Sequence, residues 1–353
     1  MKTPTLYHGH YLPRFRDRAG AATSTRSHSS TGRRISLVLL SLAVVLLTLG
    51  SQIRQRWGGW SSAVGRLIKG PPEVEIVVAS LRHEDTSWVH RHLPDWSRRV
   101  YVVDEPTAKL TVPKNKGREA MVYLSHIIDN YDALAAVTVF THASRFAWHN
   151  DDPDYDAVPG LRRLNVAHVR AAGFANLRCV WMLGCPAEMA PHADAAAAAA
   201  AAAGNATTTT TAAAGTTAKA VFKRAFEELM PGAAVPERVG VGCCSQFAVS
   251  RDAVRARPRA DYARWRDWLL RTPLADEVSG RVFEYMWHII FGKEAVFCPS
   301  AAACYCNLYG LCDLTCDEGA CEGRYAFPPF ATLPRGWPRV GWAGEERDFA
   351  GPD

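Results

Sequence analysis

One histidine, one asparagine and four aspartates fall within eight consecutive residues, from His149 to Asp156 in "HNDDPDYD". An imidazole, an amide and several carboxylates at this spacing can hold a hard divalent cation or share acid/base work. The EF-hand register fails: counting from Asp152 puts Ala157 where that loop needs glycine and Arg163 where it needs glutamate. Turn chemistry accounts for part of the cluster, because Asn150 suits an Asx turn and Asp156 suits the cap of a helix through "PGLRRLN". His149, Asp151, Asp152 and Asp154 are left over. Of these, His149, Asp151 and Asp152 are the candidate catalytic groups, and Asp152 and Asp154 the candidate metal ligands.

Other residues could join them. In "NKGRE" a glycine, Gly117, stands between Lys116 and Arg118 and before Glu119 at the start of a helical pattern. Backbone N–H groups and the helix dipole there would suit an anion, although Asn115 as a plain cap explains the pattern equally well. Asp104 closes an apolar strand pattern, where a carboxylate can accept bonds from ribose or base hydroxyls. His142 closes another, and His288 lies beside Trp287 inside a helical pattern. Either imidazole could ligate, but a helical histidine next to aromatics is more often packed. No G-x-S-x-G elbow, HExxH, Walker loop or GxGxxG occurs.

These residues need a frame. "EVEIVVAS", "RRVYVVDEP", "AVTVFTHAS" and "LRCVWML" are runs apolar on both alternating sets, as strands buried on both faces require. Helical periodicity fills the intervals, most clearly in "NKGREAMVYLSHIIDNY", where Ala120, Leu124, Ile127, Ile128 and Tyr131 share a face. "GVGCCSQFAVS" predicts a further strand, and "DYARWRDWLLR" and "SGRVFEYMWHIIFG" predict helices. The expectation is one α/β domain with a mainly parallel sheet over residues 73–326, with ligands beyond the carboxyl ends of the strands. Residues 193–220, rich in Ala and Thr, form a low-complexity insertion, and 327–353 a Pro- and Gly-rich tail.

The chain has 353 residues with net charge +6, and residues 1–34 alone account for that excess. The remainder carries 34 basic and 34 acidic side chains, so a nucleic-acid footprint is not expected. Residues 35–53 lack charge and predict a signal-anchor helix behind a basic cytosolic tail, with 54–72 as a stem. All ten cysteines follow that segment, six of them between Cys298 and Cys321. Without a paired CxxC pattern they read as disulfides in an oxidising lumen rather than as zinc ligands. The sequon Asn205-Ala206-Thr207 would carry a glycan there.

Six blocks carry a resemblance: "IVVASLRHEDTSWVHRHLPDW", "NKGREAMVYLSHIIDNYDALAAVTVF", "RFAWHNDDPDYD", "LRCVWMLGCP", "CCSQFAVSRDAVRARP" and "GRVFEYMWHIIFGKEAVFCPSAAACYCNLYGLC". Together, over about Glu73 to Cys316, they resemble a fungal family defined only as domain of unknown function 3431. More loosely, the strand ending near Asp104, the "QFAVSRDAV" block and the anchor are similar to nucleotide-sugar glycosyltransferases of the GT-A (Rossmann-like) fold. That likeness implies a Golgi or endoplasmic-reticulum enzyme passing a sugar from a nucleotide to a glycan. It implies a divalent cation, Mn or Mg, held by Asp152, Asp154 and His288. It also implies substrate contacts from Asp104, Lys116, Gly117, Arg118, Glu119, His142, Trp148, Asn150 and Gln246. The chain departs from the family pattern, since its third strand ends "VFTHAS" without the D-x-D expected there. A metal-dependent hydrolase using the same carboxylates and a non-catalytic, disulfide-braced scaffold are the alternatives.

Overall fold

A computed structural model describes residues 71–152, 155–181, 183–204 and 217–312. The predicted cytosolic tail, anchor and C-terminal tail lie outside these residues, as do nearly all of the stem, Asp154 and Asn205. Among the described residues no helix is long and apolar enough to cross a membrane. The strands are β1 (Val74–Ser80), β2 (Ser97–Val102), β3 (Val137–His142), β4 (Phe174–Asn176), β5 (Gly240–Val241), β6 (Phe247–Ser250) and β7 (Val296–Phe297). The helices are α1 (Ser87–His92), α2 (Ala120–Asn130), α3 (Ala157–Arg163), α4 (Val166–Ala172), α5 (Pro191–Gly204), α6 (Ala218–Leu229), α7 (Arg251–Arg255), α8 (Arg259–Arg271), α9 (Asp276–Glu284), α10 (Trp287–Ile290) and α11 (Ala301–Tyr309).

The main sheet runs β2-β1-β3-β6-β4, with β1 parallel to both β2 and β3. β6 is antiparallel to both of its neighbours, so four strands share one direction and one opposes them. The mostly parallel α/β sheet is therefore present. The β-branched run of β1 sits at its centre, where apolar side chains must be covered on both faces. Val77, Phe140, Phe174 and Phe247 pack under α2, α6, α8, α9 and α10 on one face. Ile76, Val78, Val137, Val139 and Ala248 pack under α1, α3, α4 and α11 on the other.

Three elements differ from their sequence patterns. "LRCVWML" is not the fourth strand: β4 is only Phe174–Asn176, and the chain leaves the sheet at Leu177. The reason is a competing acceptor, since the N–H groups of Cys179 and Val180 donate to the Asp151 carboxylate rather than to a neighbouring strand. "GVGCCSQFAVS" divides into β5 and β6, because Cys244 and Ser245 turn through the left-handed region. The α2 pattern is buried almost all round, from Ala120 to Ile128, because α8 covers the face away from the sheet. Within the insertion, the alanine run from Ala195 to Ala203 lies in α5, which packs on α6.

Eight described cysteines form four disulfides, Cys179–Cys304, Cys185–Cys298, Cys306–Cys312 and Cys243–Cys244. The first two tie the exit of β4 to the chain around α11. Cys316 and Cys321 lie outside the described residues.

Candidate functional site

Strand order reverses between β1 and β3, since the chain steps from β1 to β2 on one side and on to β3 on the other. The crevice above such a reversal, at the carboxyl ends of the strands, is where open α/β sheets take ligands. Ala79 and His142 are register partners there. Period-two alternation puts His142 on the same face as Phe140, the face covered by α2.

The loop leaving β3 is held by its own acids. Arg145 donates to both Asp156 oxygens, Nε at 2.9 Å and Nη2 at 2.6 Å. Asp156 also accepts from the Val158 N–H as the α3 cap, the role its sequence position predicts. Asn150 donates to the carbonyls of Arg145 and Tyr155, and its oxygen accepts from Gln246 Nε2 at 3.1 Å. Gln246 accepts in turn from the Thr141 hydroxyl at 2.6 Å. Asp151 is buried and accepts from the N–H groups of Cys179 and Val180 at 2.5 and 3.1 Å. Its second oxygen lies 3.8 Å from Arg178 Nε, and the Tyr305 hydroxyl also reaches the carboxylate. Burial nevertheless raises the Asp151 pKa, against the pull of Arg178 and the two N–H donors.

Asn150, Asp151, Asp156 and Gln246 thus act as fasteners. The cavity they border, with Asp152, Tyr305 and Tyr309, has about 50 Å³ of water-accessible space, enough for a few waters only. Asp152 is buried in its wall.

What the loop presents outward is aromatic. Trp148 is 45% exposed and lies edge-on to His149, with the Arg178 guanidinium 5.3 Å from its ring. The His149 ring meets His142 at 4.4 Å, edge to face. The Nε2 atoms of both imidazoles are buried and have no hydrogen-bond partner. Burial, reinforced by neighbouring His142 and Arg178, pushes the His149 pKa down to about 3, so this ring is neutral at ordinary pH.

The remaining candidates lie apart from this pair. Asp104 Oδ1 accepts from the Arg82 N–H at 2.8 Å, joining the loops after β1 and β2. Lys116 donates to the Leu274 carbonyl and pairs with Asp276 at 3.2 Å, so its charge is already matched. Gly117 and Arg118 are left-handed, and α2 begins only at Ala120, with Glu119 preceding it. The predicted anion seat at the very start of the helix is therefore displaced by one turn. His288 is fully buried, its Nε2 3.0 Å from the Ala295 carbonyl, and burial lowers its pKa to about 4. Among the described residues no group of three ligand atoms joins Asp152 to His288 or to the rest of the loop.

Both depressed histidines have a consequence for acid stability. An unfolded histidine takes up its proton near pH 6.5. His149 and His288 resist protonation in the fold, so their stabilising contribution is complete above pH 6.5 and is lost as the pH falls toward 4 and below. Urea midpoints at pH 7.5 and pH 5 are expected to show this drop, and His288→Gln is expected to reduce it.

A family model described as "Protein of unknown function (DUF3431)" matches residues 76–307, about two thirds of the chain. The chain belongs to that family. No curated protein and no solved structure matches it. In this DUF3431 domain, sequence reasoning passed over Arg178, Tyr305 and Glu284, and read Cys243 and Cys244 only as members of a disulfide set. The Cys-Cys dipeptide was the one visible signal among them. Nothing in the spacing marks Arg178 as the cation buried beneath the acidic loop.

Proposed function

We propose that this DUF3431 protein is a lumenal, glycosyltransferase-like enzyme whose nucleotide-sugar ligand occupies the crevice between the ends of β1 and β3. The observation that carries this reading is the pair of buried, unpartnered imidazole nitrogens of His142 and His149 at the strand-order reversal. Buried polar atoms are normally satisfied, and two unpartnered imidazole nitrogens side by side suit a ligand rich in hydroxyl groups. Beside them Trp148 offers an exposed flat ring to the apolar face of a sugar. Asp104, with one oxygen committed to the Arg82 N–H, keeps the other as acceptor for a ribose hydroxyl. The disulfides support an oxidising compartment, in line with the predicted type II anchor.

The described donors do not fit the divalent cation that the GT-A likeness implies. Asp156 is held by Arg145 and the Val158 N–H, Asp151 accepts two backbone N–H groups beside Arg178, His288 is bonded in the core, and among the described residues Asp152 belongs to no group of three ligand atoms, so no step is routed through a metal. In this reading His142 and His149 orient hydroxyls, Trp148 positions the sugar ring, and Arg178 lends positive charge beneath it. The hydrolase alternative loses ground for the same reason, since it needs two uncommitted carboxylates.

A thermal-shift panel tests the proposal. UDP, GDP or CMP is expected to raise the melting temperature by at least 2 °C, as near-saturating ligands do, and to do so equally in EDTA. His142→Ala and His149→Ala should abolish the shift while leaving the unliganded melting temperature close to wild type. No shift with any of the three nucleotides or their sugar conjugates would remove the reading.

A further inference from the structure

The Cys243–Cys244 disulfide joins neighbours in sequence. Disulfides stabilise chiefly by closing loops in the unfolded chain, and adjacent cysteines close none, so this bond has almost no stabilising role of that kind. Its surroundings point elsewhere. Cys244 and Ser245 are left-handed at φ of 88° and 53°, and they face a second left-handed pair, Leu183 and Gly184, through the Cys243 N–H bond to the Leu183 carbonyl. Non-glycine residues held in this region persist only where the surroundings force them, and they concentrate at functional and switching sites.

One acid closes the arrangement. Glu284, at the end of α9, accepts from the Cys244 N–H at 2.7 Å. Its oxygen and the two sulfurs lie within 4.8 Å of one another, the one such group of three among the described residues. Burial raises the Glu284 pKa despite that N–H bond and nearby Arg281, with Glu119 and Glu188 adding like charge. The segment lies two residues before Gln246, on the same sheet edge as His142 but outside the proposed sugar contacts.

We propose that Cys243, Cys244 and Glu284 form a redox-gated site for a thiophilic divalent cation such as Zn²⁺. A dithiol reductant supplies two electrons and two protons, cleaving the S–S bond to two thiols and itself becoming a disulfide. The cation then displaces both thiol protons and is held by two thiolates and the carboxylate, with a fourth position open to water. In the oxidised state the sulfurs cannot ligate in this way, and the site is closed.

The test uses the full chain under graded dithiothreitol, with alkylation mapped by mass spectrometry and Zn²⁺ uptake read against a chromogenic chelator. Cys243 and Cys244 are expected to be alkylated before Cys179, Cys185, Cys298 and Cys304. At that point the protein should bind one Zn²⁺ more than the Cys243→Ser/Cys244→Ser variant treated identically, which subtracts any metal held by other thiols. Glu284→Gln should weaken the extra site at least tenfold. Should Glu284→Gln fail to fold, Cys244→Ser alone must remove the extra ion. The proposal is overturned if the adjacent pair is alkylated no earlier than the others, or if its reduction adds no zinc. Unchanged affinity in Glu284→Gln would overturn it equally.

Discussion

Asp151→Ala is expected to lose about 3–5 kcal/mol of unfolding free energy, the usual cost of removing one member of a buried charge pair. The substitution strips the Cys179 and Val180 N–H groups of their acceptor and removes the carboxylate 3.8 Å from the buried Arg178 cation. Urea unfolding read by tryptophan fluorescence would show the change as a lower midpoint. Asp151→Asn keeps an acceptor oxygen and should recover part of the loss, because burial already disfavours the charged carboxylate at this site. A catalytic Asp151 would give the opposite pattern, with activity gone and the midpoint unchanged.

That residue shows where the sequence was legible and where it was not. Runs such as "EVEIVVAS" announce their strands because burial on both faces leaves few alternatives to β-branched residues. Asp156 was readable as a helix cap because the interaction is local, two residues along the chain. Asp151 was not, because its partners lie 27 to 29 positions away at the end of a strand that its own carboxylate cuts short. The same contact explains why "LRCVWML" read as a strand when it is not one. His142 and His149 were picked out singly, but only the folded loop sets their rings in contact.

The second large effect is expected from Cys179→Ala/Cys304→Ala. These cysteines lie 125 positions apart, so chain entropy alone sets a ceiling of about 5 kcal/mol on the stability lost. A loss of about 2–5 kcal/mol corresponds to a melting temperature lower by roughly 5–15 °C for a domain of this size. Differential scanning calorimetry reads it directly. Because Cys179 also donates to Asp151, the disulfide pair and Asp151→Ala touch one segment, and their combined effect should fall short of the sum.

β6 alone runs against its neighbours, and this has a bearing on how the family can diverge. Its first residues arrive at the edge where β3 ends, which is how Gln246 comes to clasp both Thr141 and Asn150. Gln246 satisfies a buried polar group of each of the other two, so changing it strands both, and changing either of them strands one end of Gln246. Related chains should therefore exchange Thr141, Asn150 and Gln246 together or keep all three, a covarying triplet spread over a hundred positions.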